Sequence, residues 1–222
     1  MLSVVIPTLN AGATLAATLS SLPAGLAGEV IVSDGGSTDD TVTLAERHGA
    51  RVVLGDKGRG QQLARGAAVA KGDWLLFLHA DTWLGHGAAE IARTFMAEPG
   101  NAWRAAAFRF KLDEDDWRAR LLEAGVAVRT RRLKLPYGDQ GLLISRALYD
   151  AVGGFKPMPL MEDVDLVRRL KGRLCVLPAD AITSAARYRR DGYGRRVAHN
   201  LSCLALYGLG IAPARFQKWY EK

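Results

Sequence analysis

The chain has 222 residues, enough to bury a full hydrophobic core as one domain, or as one domain with an extension. Apolar residues make up 49% and charged residues 24%, which excludes a disordered chain, and two distant cysteines, Cys175 and Cys203, exclude a disulfide framework and point to a reducing compartment. The formal net charge of +7 calls for an anionic partner: nucleic acid, an acidic membrane surface or a phosphorylated small molecule.

The opening Met1-Leu2-Ser3-Val4-Val5-Ile6-Pro7 has no basic n-region and reads as a first strand over Leu2–Ile6, not a signal peptide. Ala11–Leu22 has helical spacing and stops at Pro23. Glu29–Val32 is a strand that ends at Asp34-Gly35-Gly36. Asp39–His48 is a helix with Gly49 as its C′ residue. Arg51–Leu54 is a third strand and Gln61–Ala70 a helix. Trp74–Leu78 is a wholly apolar fourth strand, and residues 86–97 are helical. The second half is less regular. It predicts strands over Ala105–Leu112, Leu142–Ser145 and Leu174–Leu177, with a loop at Leu135–Gly141. Helices are predicted over Asp115–Arg132, Arg146–Val152, Glu162–Lys171 and Tyr193–Leu209. No stretch is long enough to span a membrane.

Strand–helix alternation implies an α/β fold with a mostly parallel sheet and helices on both faces. Ligands then bind beyond the carboxyl ends of the strands. Four polar motifs lie at those ends: Pro7-Thr8-Leu9-Asn10, Asp34-Gly35-Gly36-Ser37, Gly55-Asp56-Lys57-Gly58-Arg59 and His79-Ala80-Asp81. They should converge on one crevice. Asp34 leaves its strand with the carboxylate aimed into that crevice, where it can accept from a base N–H or a ribose hydroxyl. A plain turn and helix cap explain Ser37 and Asp39 equally well. Lys57 and Arg59 flank a helix N-terminus, an arrangement that suits a diphosphate. The loop lacks the P-loop pattern and the Rossmann glycine fingerprint.

His79 and Asp81, at alternate positions after an apolar strand, project to one side and are competent ligands for Mn²⁺ or a similar ion. Asp81 is the firmer ligand, because a lone histidine is more often a structural hydrogen-bonder. Glu162, Asp163 and Asp165 open a helix, where the macrodipole alone would favour acids. A general base needs a carboxylate at the crevice rim, and Asp163 is the candidate; Asp165 lies roughly 200° around the helix. Asp139 and Gln140, in the Tyr137–Gly141 loop, can hydrogen-bond sugar hydroxyls. The arginines at 104–132, Lys134, and those at 187–196 read, taken singly, as solvated helix faces.

Together the Val4–Asn10, Asp34–Asp39, Gly72–Asp81 and Glu162-Asp163 segments resemble the family 2 glycosyltransferases of the GT-A fold. The resemblance spans about the first 170 residues. It implies a Rossmann-like sheet with a helical acceptor-side extension, as a single domain over 1–222. Residues 1–100 would form the nucleotide-sugar half and 101–222 the acceptor half. It implies a nucleotide-sugar donor, usually a UDP-sugar, a Mn²⁺ or Mg²⁺ ion, and an inverting displacement with Asp163 of the Glu162-Asp163 pair as base. Pro7, Thr8, Asn10 and Asp34 would line the nucleoside pocket. Asp81 would take the last position of the family's Asp-x-Asp metal motif; His79 stands at the first, where the family has an acid. The His-Ala-Asp variant, the Gly-Arg-Gly-Gln-Gln loop and the short length resemble a small bacterial subgroup named radical-SAM/selenodomain-associated or arsenosugar-biosynthesis transferases.

Two other readings remain. A sugar-nucleotide nucleotidyltransferase shares the architecture but wants a basic Gly-rich loop straight after the first strand. A non-catalytic basic protein would bind nucleic acid, for which no motif is present, or lie on a membrane through Arg187–Arg196 and the apolar stretch Leu201–Ile211. Closing the acceptor side of the core is the simpler role for that last helix. The expected setting is the cytoplasm, including the inner face of its membrane. The expected partners are the donor and a small-molecule or lipid-linked acceptor, with oligomeric state left open.

Overall fold

A computed structural model describes residues 1–23, 25–133 and 135–220 of the chain. Lys134 therefore lies outside the described residues. The first half runs β1 (Leu2–Thr8), α1 (Gly12–Ser20), β2 (Glu29–Asp34), α2 (Thr41–Arg47), β3 (Arg51–Leu54), α3 (Arg59–Val69), β4 (Trp74–Phe77), β5 (Thr82–Leu84) and α4 (Ala88–Ala97). The second half runs β6 (Ala105–Leu112), α5 (Trp117–Leu133), β7 (Leu142–Ser145), α6 (Arg146–Ala151), α7 (Glu162–Arg169), β8 (Leu174–Thr183), α8 (Ala186–Asp191), α9 (Tyr193–Gly208) and α10 (Gln217–Tyr220).

Among the described residues one sheet holds the eight strands, in the order β3-β2-β1-β4-β7-β6-β8-β5. The first four strands are parallel to one another, β7 is antiparallel to both its neighbours, and β6 and β8 are parallel. β1 is flanked by β2 on one side and β4 on the other, so the crossover direction reverses there and a crevice opens at the strand ends.

The alternating side chains of β1 explain why the sheet is covered twice. Val4 and Ile6 join Leu15, Leu19, Ala45, Ala92 and Phe95, which come from α1, α2 and α4. Val5 faces the other way and packs with Leu63, Ala67, Leu148 and Leu166 from α3, α6 and α7. Ser145 ends β7 and caps α6, its Oγ accepting from the Leu148 N–H at 3.0 Å.

The long elements lie where the sequence predicts them; the additions are local. β5 is three residues long and escapes a periodicity reading. β8 runs on to Thr183 rather than stopping at Leu177, with a register shift opposite Ala107–Arg109 where Pro178 lacks an N–H for the ladder. Among the described residues no helix is long and apolar enough to cross a membrane.

Candidate active site

The ends of β1, β3 and β4 do converge. A crevice of about 560 Å³ is lined by Pro7, Thr8 and Asn10 after β1, by Lys57 and Arg59 before α3, and by His79 and Asp81 after β4. A second cavity of about 100 Å³ shares Arg59, His79 and Asp81 with it. That cavity adds Tyr137, Asp139, Asp163 and Tyr188. The two spaces therefore meet at a common wall carrying the proposed ion ligands, and the proposed base sits on the far side.

Asp34 departs from expectation. It is fully buried and does not line the crevice. Its Oδ1 accepts from the Gly36 and Ser37 N–H groups at 2.9 and 2.7 Å, and its Oδ2 accepts from the Thr8 and Ser37 hydroxyls. Burial pushes the Asp34 pKa up, but the bonds from Ser37, Thr8 and Gly36 outweigh it and hold the carboxyl below its ordinary value. The carboxylate ties β1 to the loop after β2 and shapes the crevice floor. Asn10, at positive φ of 51°, fixes the same loop by accepting from the Thr38 N–H at 2.8 Å. Gln62 completes the tie: its amide donates to the carbonyls of Thr8 and Ser33 at 2.6 and 3.0 Å.

Three ionisable groups at or near the shared wall are displaced from their ordinary pKa values. Burial, helped by the Arg59 charge and opposed by Asp81 and Asp163, pushes His79 down to about 4. Its imidazole is thus neutral near pH 7, the form that ligates metal. Burial lifts Asp139 to about 6, with Arg129 opposing and Asp163 and Asp81 adding to the rise. Burial lifts Glu162 to about 7, with Arg59 opposing and Asp163 adding to the rise. Arg59 Nε stands 3.5 Å from Glu162 Oε1. Among the described residues, neither Glu162 oxygen nor Asp139 Oδ1 has a hydrogen-bond partner.

Asp163, in the first turn of α7, accepts from the Gly138 N–H at 2.8 Å through Oδ2 and lines the second cavity. Gly138 allows this approach, because a Cβ there would run into His79 Nε2. Asp165 turns away, as its helical position requires, and pairs with Lys156 and Arg169 at 3.0 and 2.6 Å. Gln140 also departs from expectation. It is buried, accepts from the Thr130 hydroxyl at 2.9 Å and donates to the Phe108 carbonyl at 2.9 Å, so it anchors the loop.

The arginines read as solvated faces include site residues. Arg187 and Arg190 of α8 and Arg196 of α9 line the crevice opposite Lys57. Arg187 reaches to 4.0 Å from Asp81 Oδ2. The basic run was visible in the sequence, but its fold-back over the ends of β1 and β4 was not.

A divalent ion has two protein ligands available here, the Asp81 carboxylate and the neutral His79 imidazole. Among the described residues no three His, Cys, Asp or Glu side chains are grouped to hold a metal. This donor set fits an ion whose remaining positions come from a diphosphate and water.

Residues 3–159 match the family model described as Glycosyl transferase family 2. A PGL/p-HBAD biosynthesis glycosyltransferase from Mycobacterium bovis is 41% identical over 90 residues, 36% of this chain and 35% of that protein. Glucosyl-3-phosphoglycerate synthase from Mycobacterium tuberculosis is 39% identical over 92 residues, 36% of this chain and 28% of that protein. The chain is thus matched over about a third of the length of these curated relatives. The crystal structure of that synthase with Mn²⁺, UDP and glucosyl-3-phosphoglycerate aligns at TM-score 0.57 and 26% identity, over 83% of this chain and 70% of that one. Staphylococcus aureus TarS aligns at TM-score 0.62 over 82% of this chain and 35% of its own; at 18% identity that likeness is one of fold.

Proposed function

The chain belongs to glycosyl transferase family 2 and has its GT-A fold, and we propose that it moves a sugar from a nucleotide-sugar donor, a UDP-sugar, to a hydroxyl of a small-molecule or lipid-linked acceptor. One observation carries the reading. The crevice and the second cavity share the wall of Arg59, His79 and Asp81, and Asp163 faces that wall from the second cavity. A donor in the first space and an acceptor in the second would meet there.

Within this single domain, residues 1–100 supply most of the donor side and 101–222 the acceptor side. Residues of the second half also line the donor crevice, among them Leu160, Arg187, Arg190 and Arg196. Pro7, Thr8 and Asn10 line the crevice and would form its nucleoside end. Asp34 supports them from beneath. Lys57, Arg59 and the three arginines surround the diphosphate. Asp81 and His79 would hold a Mn²⁺ or Mg²⁺ ion, which neutralises charge on the diphosphate. Asp163 takes the proton of the acceptor hydroxyl as the acceptor oxygen bonds to the anomeric carbon and the bond to the diphosphate breaks. Attack from the acceptor cavity, opposite the leaving group, inverts the anomeric centre. Glu162, buried beside Arg59, fixes that guanidinium at the wall. Asp139 accepts from an acceptor hydroxyl.

A cytoplasmic setting, including the inner face of a membrane, fits a chain with only two cysteines, Cys175 and Cys203, far apart in sequence. The narrower likeness to radical-SAM/selenodomain-associated transferases has no counterpart among the relatives named above, and no substrate is taken from it.

The test is donor binding followed by turnover. With Mn²⁺, one sugar nucleotide in a thermal-shift screen should raise the melting temperature by mass action and release its nucleoside diphosphate slowly. Asp81→Ala should abolish the release. Asp163→Asn should keep donor binding and lower transfer by about 10²- to 10⁴-fold. No binding of any sugar nucleotide at about millimolar concentration (a binding free energy of roughly −4 kcal/mol) would sink the proposal.

A further inference from the structure

α5 presents two unlike faces. Ala119, Leu122 and Val126 turn inward and pack with Phe110, Leu112, Tyr188 and Tyr193. Trp117, Leu121 and Val128 turn outward and are 70%, 66% and 57% exposed. At 3.6 residues per turn these three, with exposed Arg118, Arg131 and Arg132, fall within about 140° of the helix circumference. Between 117 and 132 the helix carries one acid, Glu123, and it is occupied by Arg120 and the Leu112 N–H. Asp115 and Asp116 precede the helix; the first lies 3.6 Å from Arg120 and the second caps the Arg118 N–H. The outer face is therefore apolar along its axis and cationic at both ends.

We propose that this face of α5 docks on an anionic lipid surface. An interfacial helix buries an apolar stripe to the headgroup boundary and keeps cations beside anionic headgroups, and tryptophan suits that depth. The net charge of +7 acts in the same direction. A second copy of this chain fits less well: an isologous contact would oppose arginine to arginine with no exposed acid on the stripe to pair them. The docking face is not the one the C-terminal sequence suggests. Leu204, Leu206, Tyr207 and Ile211 pack around buried Cys203 and Phe216, which leaves Leu201 and Leu209 outside. α5 also borders the acceptor cavity, since Arg129 lies 3.5 Å over the Tyr137 ring, which lines that cavity. A membrane at α5 would place a lipid-linked acceptor beside Asp163. The docking itself does not depend on the proposed transfer reaction.

The experiment is sedimentation of the full chain with vesicles of phosphatidylcholine alone or with added phosphatidylglycerol. Binding should require phosphatidylglycerol and weaken with salt. Arg118→Gln/Arg131→Gln/Arg132→Gln should weaken it about 100-fold, at about 5-fold per cation. Trp117→Ser/Leu121→Ser/Val128→Ser, which keeps every charge, should weaken it about 10-fold or more. Arg47→Gln, on α2, should leave it unchanged. Unaltered thermal midpoints would establish that both triple variants are folded; should one not fold, Trp117→Ser alone, at the exposed helix start, carries the comparison. Absence of vesicle binding, or binding that survives loss of the apolar trio, would overturn the proposal. So would a concentration-dependent dimer abolished by that same trio without any vesicle binding, which would assign the face to a second copy.

Discussion

The Gly138 N–H donates to Asp163 Oδ2 at 2.8 Å, so the proposed base is aimed by the backbone of a turn that also abuts His79. A Cβ on Gly138 would run into Nε2 of the imidazole and stand 2.9 Å from its Cε1. Gly138→Ala must therefore move the turn, the imidazole or both. Displacing a reacting group by about 1 Å costs on the order of 10²-fold in rate. Gly138→Ala should lower kcat by that order while the Kd for UDP changes little. A variant with unchanged kcat would show that the turn does not position the base.

The ion should need the nucleotide. Asp81 and His79 would supply two ligands, and a hard divalent ion wants about six. Mn²⁺ titration followed by electron paramagnetic resonance should show weak binding to the chain alone and tight binding once UDP is present. His79→Ala should weaken the ternary complex less than Asp81→Ala does. Tight Mn²⁺ binding without UDP would contradict this and point to a third protein ligand.

How far the sequence discloses this site depends on the range of the contacts. The bounds predicted for β3, β6 and β7 match the structure, because each strand has an apolar core of short, strand-like length. The placing of His79, Asp81, Lys57 and Arg59 at one crevice follows from a rule about strand ends. The fate of Asp34 does not: a carboxylate at a strand end looks the same whether it meets a ligand or the Thr8 and Ser37 hydroxyls of its own loop. Gln140 hides for a like reason, its partners Thr130 and Phe108 coming from α5 and β6. Arg187, Arg190 and Arg196 become site residues only when α8 and α9 fold back over β1 and β4, a contact across more than 100 residues that no local pattern encodes.

Those arginines lead to a further expectation. Arg187 and Arg190 line the crevice, and both are exposed enough to meet a solvated phosphate. Charge-assisted bonds to phosphate are the strong ones, so Arg187→Gln or Arg190→Gln should each weaken UDP binding about 10-fold. Uridine has no phosphate and should bind either variant as it binds the parent. Isothermal titration of both ligands separates the cases. Equal losses for UDP and uridine would mean that the substitutions disturb the crevice rather than remove a phosphate contact.

Glu162 gives the chain a pH dependence whose sign is fixed. Its folded pKa is about 7, above the ordinary 4.5, with burial the leading cause. Between those values the folded state holds the proton that the unfolded state has released. Stability from this group is therefore complete below about pH 4.5 and declines as pH rises towards 7. His79 acts in the opposite sense: with a folded pKa of about 4, below its ordinary 6.5, it costs stability as pH falls through that interval. The two slopes partly cancel in the parent chain. Glu162→Gln keeps the shape and removes one slope, so the variant should gain on the parent from pH 4.5 to 7 and run parallel to it above. The 2.5-unit gap bounds that gain at roughly 3 kcal/mol. Urea unfolding across this range reads it directly. A difference that stays flat with pH would mean that Glu162 is ionised in the fold throughout, held so by Arg59 at 3.5 Å.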